Sequence, residues 1–315
     1  MESAVWREAA GGVMKILQKT RLRARRTAAS LSRVLSGSAY AGIAARLARL
    51  PACGVSVHMM SQPDRVDASW MSYASFCIYS GKRYPLWIHD DGSFGEEGVA
   101  RLRRSLPGAV FVSRRQADAE MKSRLAGCPE CTKFREENFF FLKLFDAFHF
   151  APTERLIVLD NDILFFREPA EVVRWLDLCE REICFNSERG ESLAMTREDL
   201  ATLPGRPADM LLNAGFGLIW KEVMDWEFCE RFLAHCRENI HLVRKIHLME
   251  QTTWAFLIGQ SALPLRLLPH TYEISNDILK SKGTIMRHYT GFTKHDIMFV
   301  EAFLGLPGLL RRALS

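Results

Sequence analysis

The run Arg155-Leu-Ile-Val-Leu159, followed at once by Asp160-Asn161-Asp162, constrains this chain more than any other stretch. Consecutive apolar residues without alternation read as a strand buried on both faces, the pattern of a parallel sheet covered by helices. Apolar residues resume at Ile163-Leu-Phe-Phe166. Two carboxylates held between two buried runs are costly unless something compensates their charge. Carboxylates at i and i+2 leaving a strand can both reach one hard divalent cation. Solvated turns also contain this spacing; the buried flanks set this one apart.

The elements around it alternate. Val55 to Met60 reads as a strand, Ala68 to Tyr79 as an amphipathic helix, and Pro85 to His89 as a second strand ended by Asp90-Asp91-Gly92-Ser93. A helix over Glu96 to Ser105, a strand over Ala109 to Ser113 and an apolar helix over Asn138 to Phe150 follow. Strands separated by helices imply an α/β fold with a mostly parallel, right-handed central sheet flanked by helices. Ligands of open sheets bind beyond the carboxyl ends of the strands, which directs attention to the segments after Met60, His89 and Leu159.

Composition narrows the class. With 48% hydrophobic and 25% charged residues over 315 positions, the chain is globular rather than disordered. Residues 1–50 carry ten Lys/Arg against two Glu, whereas the rest carries 32 basic and 35 acidic groups. The body therefore lacks the basic stripe a nucleic-acid partner would need. The expected organisation is a basic helical extension over residues 1–52 and a catalytic domain over 53–315. Residues 13–50 have the spacing of one or two basic amphipathic helices, able to lie on an anionic membrane at about 1 kcal/mol per Lys/Arg. A solvated arm or an organelle transit segment fits the same composition. No apolar run is long enough for a conventional span, and Glu8 and Lys15 interrupt any secretory core. The expectation is a cytoplasmic protein, with peripheral contact to the cytoplasmic face of a membrane through its N-terminus. Eight scattered cysteines suit a reducing compartment, and Cys128-Pro-Glu-Cys131 lacks the partners of a zinc site and reads as a loop.

Further segments bear on the carboxylate pair. Asn213-Ala-Gly-Phe-Gly217 reads as a small-residue turn before the apolar strand Leu218 to Trp220. Glu250-Gln251 opens a helical stretch to Ile258. His288-Tyr-Thr-Gly291-Phe-Thr-Lys294 offers an imidazole that can complete a metal site, a glycine that lets backbone approach a phosphate, and a cation to neutralise it.

In this order the chain resembles the GT-A superfamily of nucleotide-sugar-dependent glycosyltransferases. It is most similar to the retaining family that includes glycogenin and bacterial lipopolysaccharide galactosyltransferases. The resemblance covers roughly residues 55–300 and rests on Asp160-x-Asp162, the N-x-G at Asn213 to Gly215, the acidic-Gln pair Glu250-Gln251 and the H-x-x-G-x-x-K ending at Lys294. The block Ile88 to Ser93 is also similar to one found in a set of bacterial proteins.

The resemblance implies that Asp160, Asp162 and His288 bind Mn²⁺ or Mg²⁺, which bridges the phosphates of a UDP-type donor. It implies that Gly291 and Lys294 hold the diphosphate, that Lys143 faces the donor, and that Asn213 and Gln251 contact the transferred sugar or the acceptor. Asp90 or Asp91 would reach the base or ribose, or simply form the turn. Sugar transfer with retention to a saccharide, lipid-linked or protein acceptor is the implied activity. A metal and a cation would stabilise the diphosphate leaving group in place of a general acid.

Three rivals exist. A phosphatase of the haloacid-dehalogenase type would use the first Asp as nucleophile, but Leu164 stands where Thr or Val is needed, and the later aspartates, at 177, 199, 209, 225, 277 and 296, are not paired with one another. A nucleotidyltransferase would want a Gly-rich basic loop after the first strand, where this chain has Ser61-Gln62-Pro63. A non-catalytic nucleotide-binding or membrane-surface scaffold of the same fold remains the non-enzymatic alternative.

Overall fold

A computed structural model describes residues 37–277, 283–291 and 294–314. Residues 1–36 of the basic N-terminal segment lie outside the described residues. The last part of that segment forms helix α1 (Gly37–Arg49), anchored by buried Ile43 and Leu50.

The first half of the domain follows the alternation read from the sequence. Strand β1 (Ser56–Ser61) leads to helix α2 (Val66–Ser80), β2 (Leu86–Asp90) to α3 (Glu96–Ser105), and β3 (Val110–Val112) to α4 (Arg114–Arg124). Helices α5 (Pro129–Glu137) and α6 (Phe140–Phe150) precede β4 (Arg155–Leu159). Beyond it come β5 (Ile163–Phe165), α7 (Ala170–Leu178), β6 (Ile183–Ser187) and the short α8 (Arg197–Leu200). They are followed by β7 (Leu212–Trp220), α9 (Trp226–Glu238) and α10 (Met249–Gln260). Strands β8 (Leu265–Leu267), β9 (Tyr272–Ile274) and β10 (Met286–His288) and the long helix α11 (Lys294–Leu314) complete the chain.

Seven strands form one sheet in the order β3-β2-β1-β4-β7-β6-β8. The pairs among β1 to β4 are parallel, whereas β7 runs antiparallel to both β4 and β6. Apolar helices cover both faces, which is why β4 and β7 are almost wholly buried. On one face Phe148, Phe185 and Trp254 pack ring to ring. On the other, Phe76, Phe165 and Phe216 do the same.

Two local expectations are corrected. Residues 213–217 are not a turn but the middle of β7. Their glycines serve close approach: a Cβ on Gly217 would lie 2.6 Å from the Phe185 ring, and one on Gly215 would lie 2.4 Å from His288 Cε1. Cys128-Pro-Glu-Cys131 is not a loop but the start of α5, where the Glu230 carboxylate accepts the N–H groups of Glu130 and Cys131. Burial and that carboxylate push both thiols up, away from reactivity.

Beneath β1 and β2 the core holds a hydrogen-bonded chain in which Ser56 Oγ lies 2.9 Å from His58 Nε2 and His58 Nδ1 lies 3.0 Å from His89 Nε2. Burial first, then the mutual effect of the two imidazoles and nearby cations, lowers the pKa of His58. Burial pushes His89 down to about 4, against the opposing pull of Asp146. A histidine neutral in the fold but protonated when unfolded gives stability that is complete above the unfolded pKa near 6.5 and is lost as pH falls through 4. For His89 this amounts to roughly 3 kcal/mol. Urea unfolding at pH 7 and pH 4.5 should show a steep loss at the lower pH, and His89→Phe should flatten it. An equal slope in both proteins would refute the buried neutral pair as its cause.

Candidate functional site

The carboxyl end of β4 delivers Asp160, and the short link to β5 delivers Asp162. Backbone bonds fix the link. The Asp160 N–H donates to Gly215 O (2.8 Å), Ser72 Oγ donates to Asp160 O (2.9 Å), and the Tyr289 N–H donates to Asp162 O (3.0 Å). Strand β10 pairs antiparallel with β5, setting His288 opposite Ile163, within the small sheet β5-β10-β9. The result brings one ligand atom each from Asp160, Asp162 and His288 within 4.8 Å of one another.

The hydrogen bonds define the state of His288. Its Nδ1 lies 3.0 Å from Asn213 Oδ1, an amide oxygen that can only accept, so Nδ1 carries the proton. Asn213 is itself oriented, because its Nδ2 donates to Glu188 Oε1 (2.7 Å) and its Oδ1 also accepts the Gly215 N–H (3.0 Å). In the neutral imidazole Nε2 therefore presents a lone pair, 3.3 Å from Asp162 Oδ1 and 4.0 Å from Asp160 Oδ2. Asp162 Oδ1 is buried and has no hydrogen-bond partner among the described residues. Three electron-pair donors converging on one point, one of them orphaned, fit a divalent cation with oxygen and nitrogen ligands.

The same arrangement sets the ionisation of the cluster. Burial works against charge on His288, but the two aspartates outweigh it and raise the imidazole pKa. Burial likewise opposes the Asp162 carboxylate, and His288 and Lys294 overcome it, holding that carboxyl well below its usual range. Lys294 Nζ stands 2.5 Å from Asp162 Oδ2, with its side chain 38% exposed. That cation can therefore turn between Asp162 and a ligand outside. Gly291, three residues earlier, has a φ of 77° in the left-handed region, and its carbonyl accepts the Lys294 N–H at 3.3 Å.

Lys143 is buried on α6. Its Nζ lies 3.1 and 3.3 Å from the Asp160 oxygens and 3.8 Å from Glu250 Oε1. Burial opposes its charge, and Asp160 and Glu250 restore and raise its pKa. Glu250, at the start of α10, also accepts a hydrogen bond from Trp254 Nε1 (2.6 Å). Burial raises its carboxyl to about 7, with Lys143 pulling the other way.

Gln251, the next residue on α10, is held by backbone. Its Oε1 accepts the Ala214 N–H (3.1 Å) and its Nε2 donates to Ser192 O, so both ends of the amide hold backbone. Asp90 and Asp91 lie at the end of β2, apart from the carboxylate cluster. Asp90 accepts backbone N–H groups from Gly92, Phe94 and Arg114, while Asp91 accepts from Ser93 and from Gln62 Nε2 (3.0 Å), which ties β2 to β1. Sequence reasoning passed over Glu250 as a site residue, although it named the pair that contains it. It also passed over Asn161 and His295, which meet across 134 positions and carry no local signal.

No protein-family model and no curated protein sequence matches this chain. Its fold does match solved structures. Mouse xyloside xylosyltransferase 1 in its apo form superposes with a TM-score of 0.51 at 14% identity, over 74% of this chain and 97% of that one. The galactosyltransferase LgtC in complex with donor and acceptor sugar analogues gives 0.48 at 12% identity, over 75% and 87%. Core-mannan synthase A from Aspergillus fumigatus in its Mn/GDP form gives 0.45 at 10%, over 69% and 73%. At these identities the likeness concerns the fold, which is that of the GT-A glycosyltransferases.

Among the described residues Asn213 hydrogen-bonds His288, Gly215 and Glu188 and neither cluster aspartate. Asn213→Ala should therefore weaken Mn²⁺ binding about 10- to 100-fold in calorimetric titration. Unchanged affinity would show that the amide does not set the imidazole.

Proposed function

We propose that this chain is a metal-dependent glycosyltransferase that moves a sugar from a nucleoside-diphosphate donor, of UDP type, to a saccharide, lipid-linked or protein acceptor. The observation that carries the reading is the convergence of Asp160, Asp162 and His288 beside Lys294, at the carboxyl end of a central strand in a GT-A fold.

Each residue then has a definable task. Asp160, Asp162 and His288 Nε2 would hold Mn²⁺ or Mg²⁺, which supplies positive charge to the diphosphate as it departs. Lys294 leaves Asp162 and meets a phosphate oxygen, and Gly291 allows backbone to come close to the same group. Buried Lys143 holds the half-buried Asp160 carboxylate in place through contacts of 3.1 and 3.3 Å. Asn213 fixes the His288 tautomer, and Gln251 pins β7 to the loop at Ser192. Glu250 is engaged by Lys143 and Trp254, and transfer with retention is part of this proposal.

The membrane part of the reading is a separate proposal. Helix α1 ends in Arg46 and Arg49, and α11 exposes Val300, Phe303 and Leu304 about two to three turns before Arg311 and Arg312. No described helix is long and apolar enough to cross a membrane. Contact with an anionic bilayer surface through the basic N-terminal segment and this face would bring the site to a lipid-linked acceptor. Phosphatidylglycerol vesicles should co-sediment the protein while phosphatidylcholine vesicles do not. Unchanged sedimentation after deletion of residues 1–36 would remove the N-terminal segment from that role.

The catalytic reading is tested by thermal unfolding with UDP, GDP, ADP and CDP. One diphosphate should stabilise the protein only with Mn²⁺, by about 2.7 kcal/mol at a hundredfold excess over Kd, and Asp162→Ala should abolish the effect. Stabilisation by none of them would remove the donor reading and favour the scaffold.

A further inference from the structure

His295 follows Lys294 on the first turn of α11 and is buried to 8% exposure, but nothing so far gives it a task. Its surroundings fix its chemistry. Asn161, the residue between the two cluster aspartates, donates from Nδ2 to Met60 O at 3.1 Å. A carbonyl only accepts, so the amide orientation is set, and Oδ1 is turned to His295 Nε2 at 3.2 Å. That oxygen also only accepts, so Nε2 carries the imidazole proton. Burial first, then Arg65, lowers the pKa of His295 to about 4, and the ring is neutral at physiological pH. A neutral imidazole has one N–H, already spent on Asn161, so Nδ1 presents a lone pair. It has no hydrogen-bond partner among the described residues.

Its position is equally defined. Strands β1, β2 and β3 follow one another outward on one side of the sheet, while β4 lies on the other side of β1. The carboxyl ends of β1 and β4 are therefore the switch point of the sheet, where open α/β folds take their ligands. The bond from Asn161 to Met60 bridges this gap, and His295 stands over it. Lys294 faces Asp162 and the cation cluster; its neighbour faces Asn161 and the β1 end, where Gln62 and Asp91 add polar groups. A diphosphate held at the cluster would extend its nucleoside toward β1 and β2. A lone pair repels phosphate oxygens and welcomes an N–H or O–H.

We infer that His295 reads the nucleoside of the donor, its Nδ1 accepting a hydrogen bond from an N–H of the base or an O–H of the ribose. The inference rests on the nucleotide-sugar reading above and adds a recognition residue to it. The second nitrogen keeps Asn161 in place, so one ring joins donor recognition to the turn that carries both aspartates.

Two replacements separate the nitrogens. His295→Gln can still donate to Asn161 but lacks an acceptor at the Nδ1 position; His295→Asn places an amide oxygen near Nδ1 and gives up the bond to Asn161. Calorimetry with Mn²⁺ would use the nucleoside diphosphate that wild type binds, its 2′- and 3′-deoxy forms, and inorganic pyrophosphate. Expected is about fivefold weaker nucleotide binding by His295→Gln, unchanged pyrophosphate binding, and substantial recovery in His295→Asn. If a deoxy form abolishes the difference between wild type and His295→Gln, the contact is to that hydroxyl; if both keep it, the contact is to the base. Equal losses for nucleotide and pyrophosphate, or no loss for either, would overturn the role of His295 while leaving sugar transfer standing. Wild type that binds pyrophosphate but no nucleoside diphosphate would overturn both readings.

Discussion

The charge on Asp162 is the constraint around which this end of the molecule is organised. A carboxylate 3% exposed, at the mouth of a seven-stranded sheet, requires compensation, and it finds two partial sources. Lys294 comes from the helix that closes the chain, and His288 from a strand paired with the segment that follows Asp162. Neither satisfies Oδ1 with a hydrogen bond. Stability alone would not favour a buried carboxylate oxygen without a hydrogen bond, since an apolar residue of similar size is cheaper to bury. A carboxylate kept ionised, with one oxygen facing an imidazole nitrogen that becomes an electron-pair donor on losing its proton, is the arrangement a cation completes.

Much of the surrounding structure serves that geometry. Gly215 leaves the space that the His288 ring occupies, and Asn213, two residues earlier on the same strand, holds the ring by Nδ1. Gln251 fastens the strand through Ala214. On the opposite side Lys143 and Glu250 form a buried pair that steadies Asp160. Further out, buried Arg287 stands beside Glu273 and Glu301, and Tyr289 donates to Glu301. These contacts tie β9, β10 and α11 together and hold His288 and Lys294 in one frame.

The sequence made the parallel half of the fold readable because each of its strands is followed by a helix of its own period. The carboxylate pair stood out for a related reason: unbroken apolar residues on both sides left it no solvent to escape into. The second half was less legible because it depends on pairings between distant segments. Nothing local in Asn213 to Gly217 distinguishes a turn from a strand whose glycines make room for Phe185 and His288. Gln251 and Glu250 differ by one helical step, and only the packing of α10 decides which of them faces Lys143. The contact between Asn161 and His295 joins residues whose types are unremarkable in either neighbourhood.

Crystals grown without metal and then soaked in MnCl₂ give the most direct test of the central claim, with diffraction collected near the manganese edge. Expected is an anomalous peak bounded by Asp160, Asp162 Oδ1 and His288 Nε2, with the His288 Nδ1 bond to Asn213 intact. Manganese bound elsewhere, or a cluster that stays closed by Lys294 and His288 at saturating metal, would contradict it.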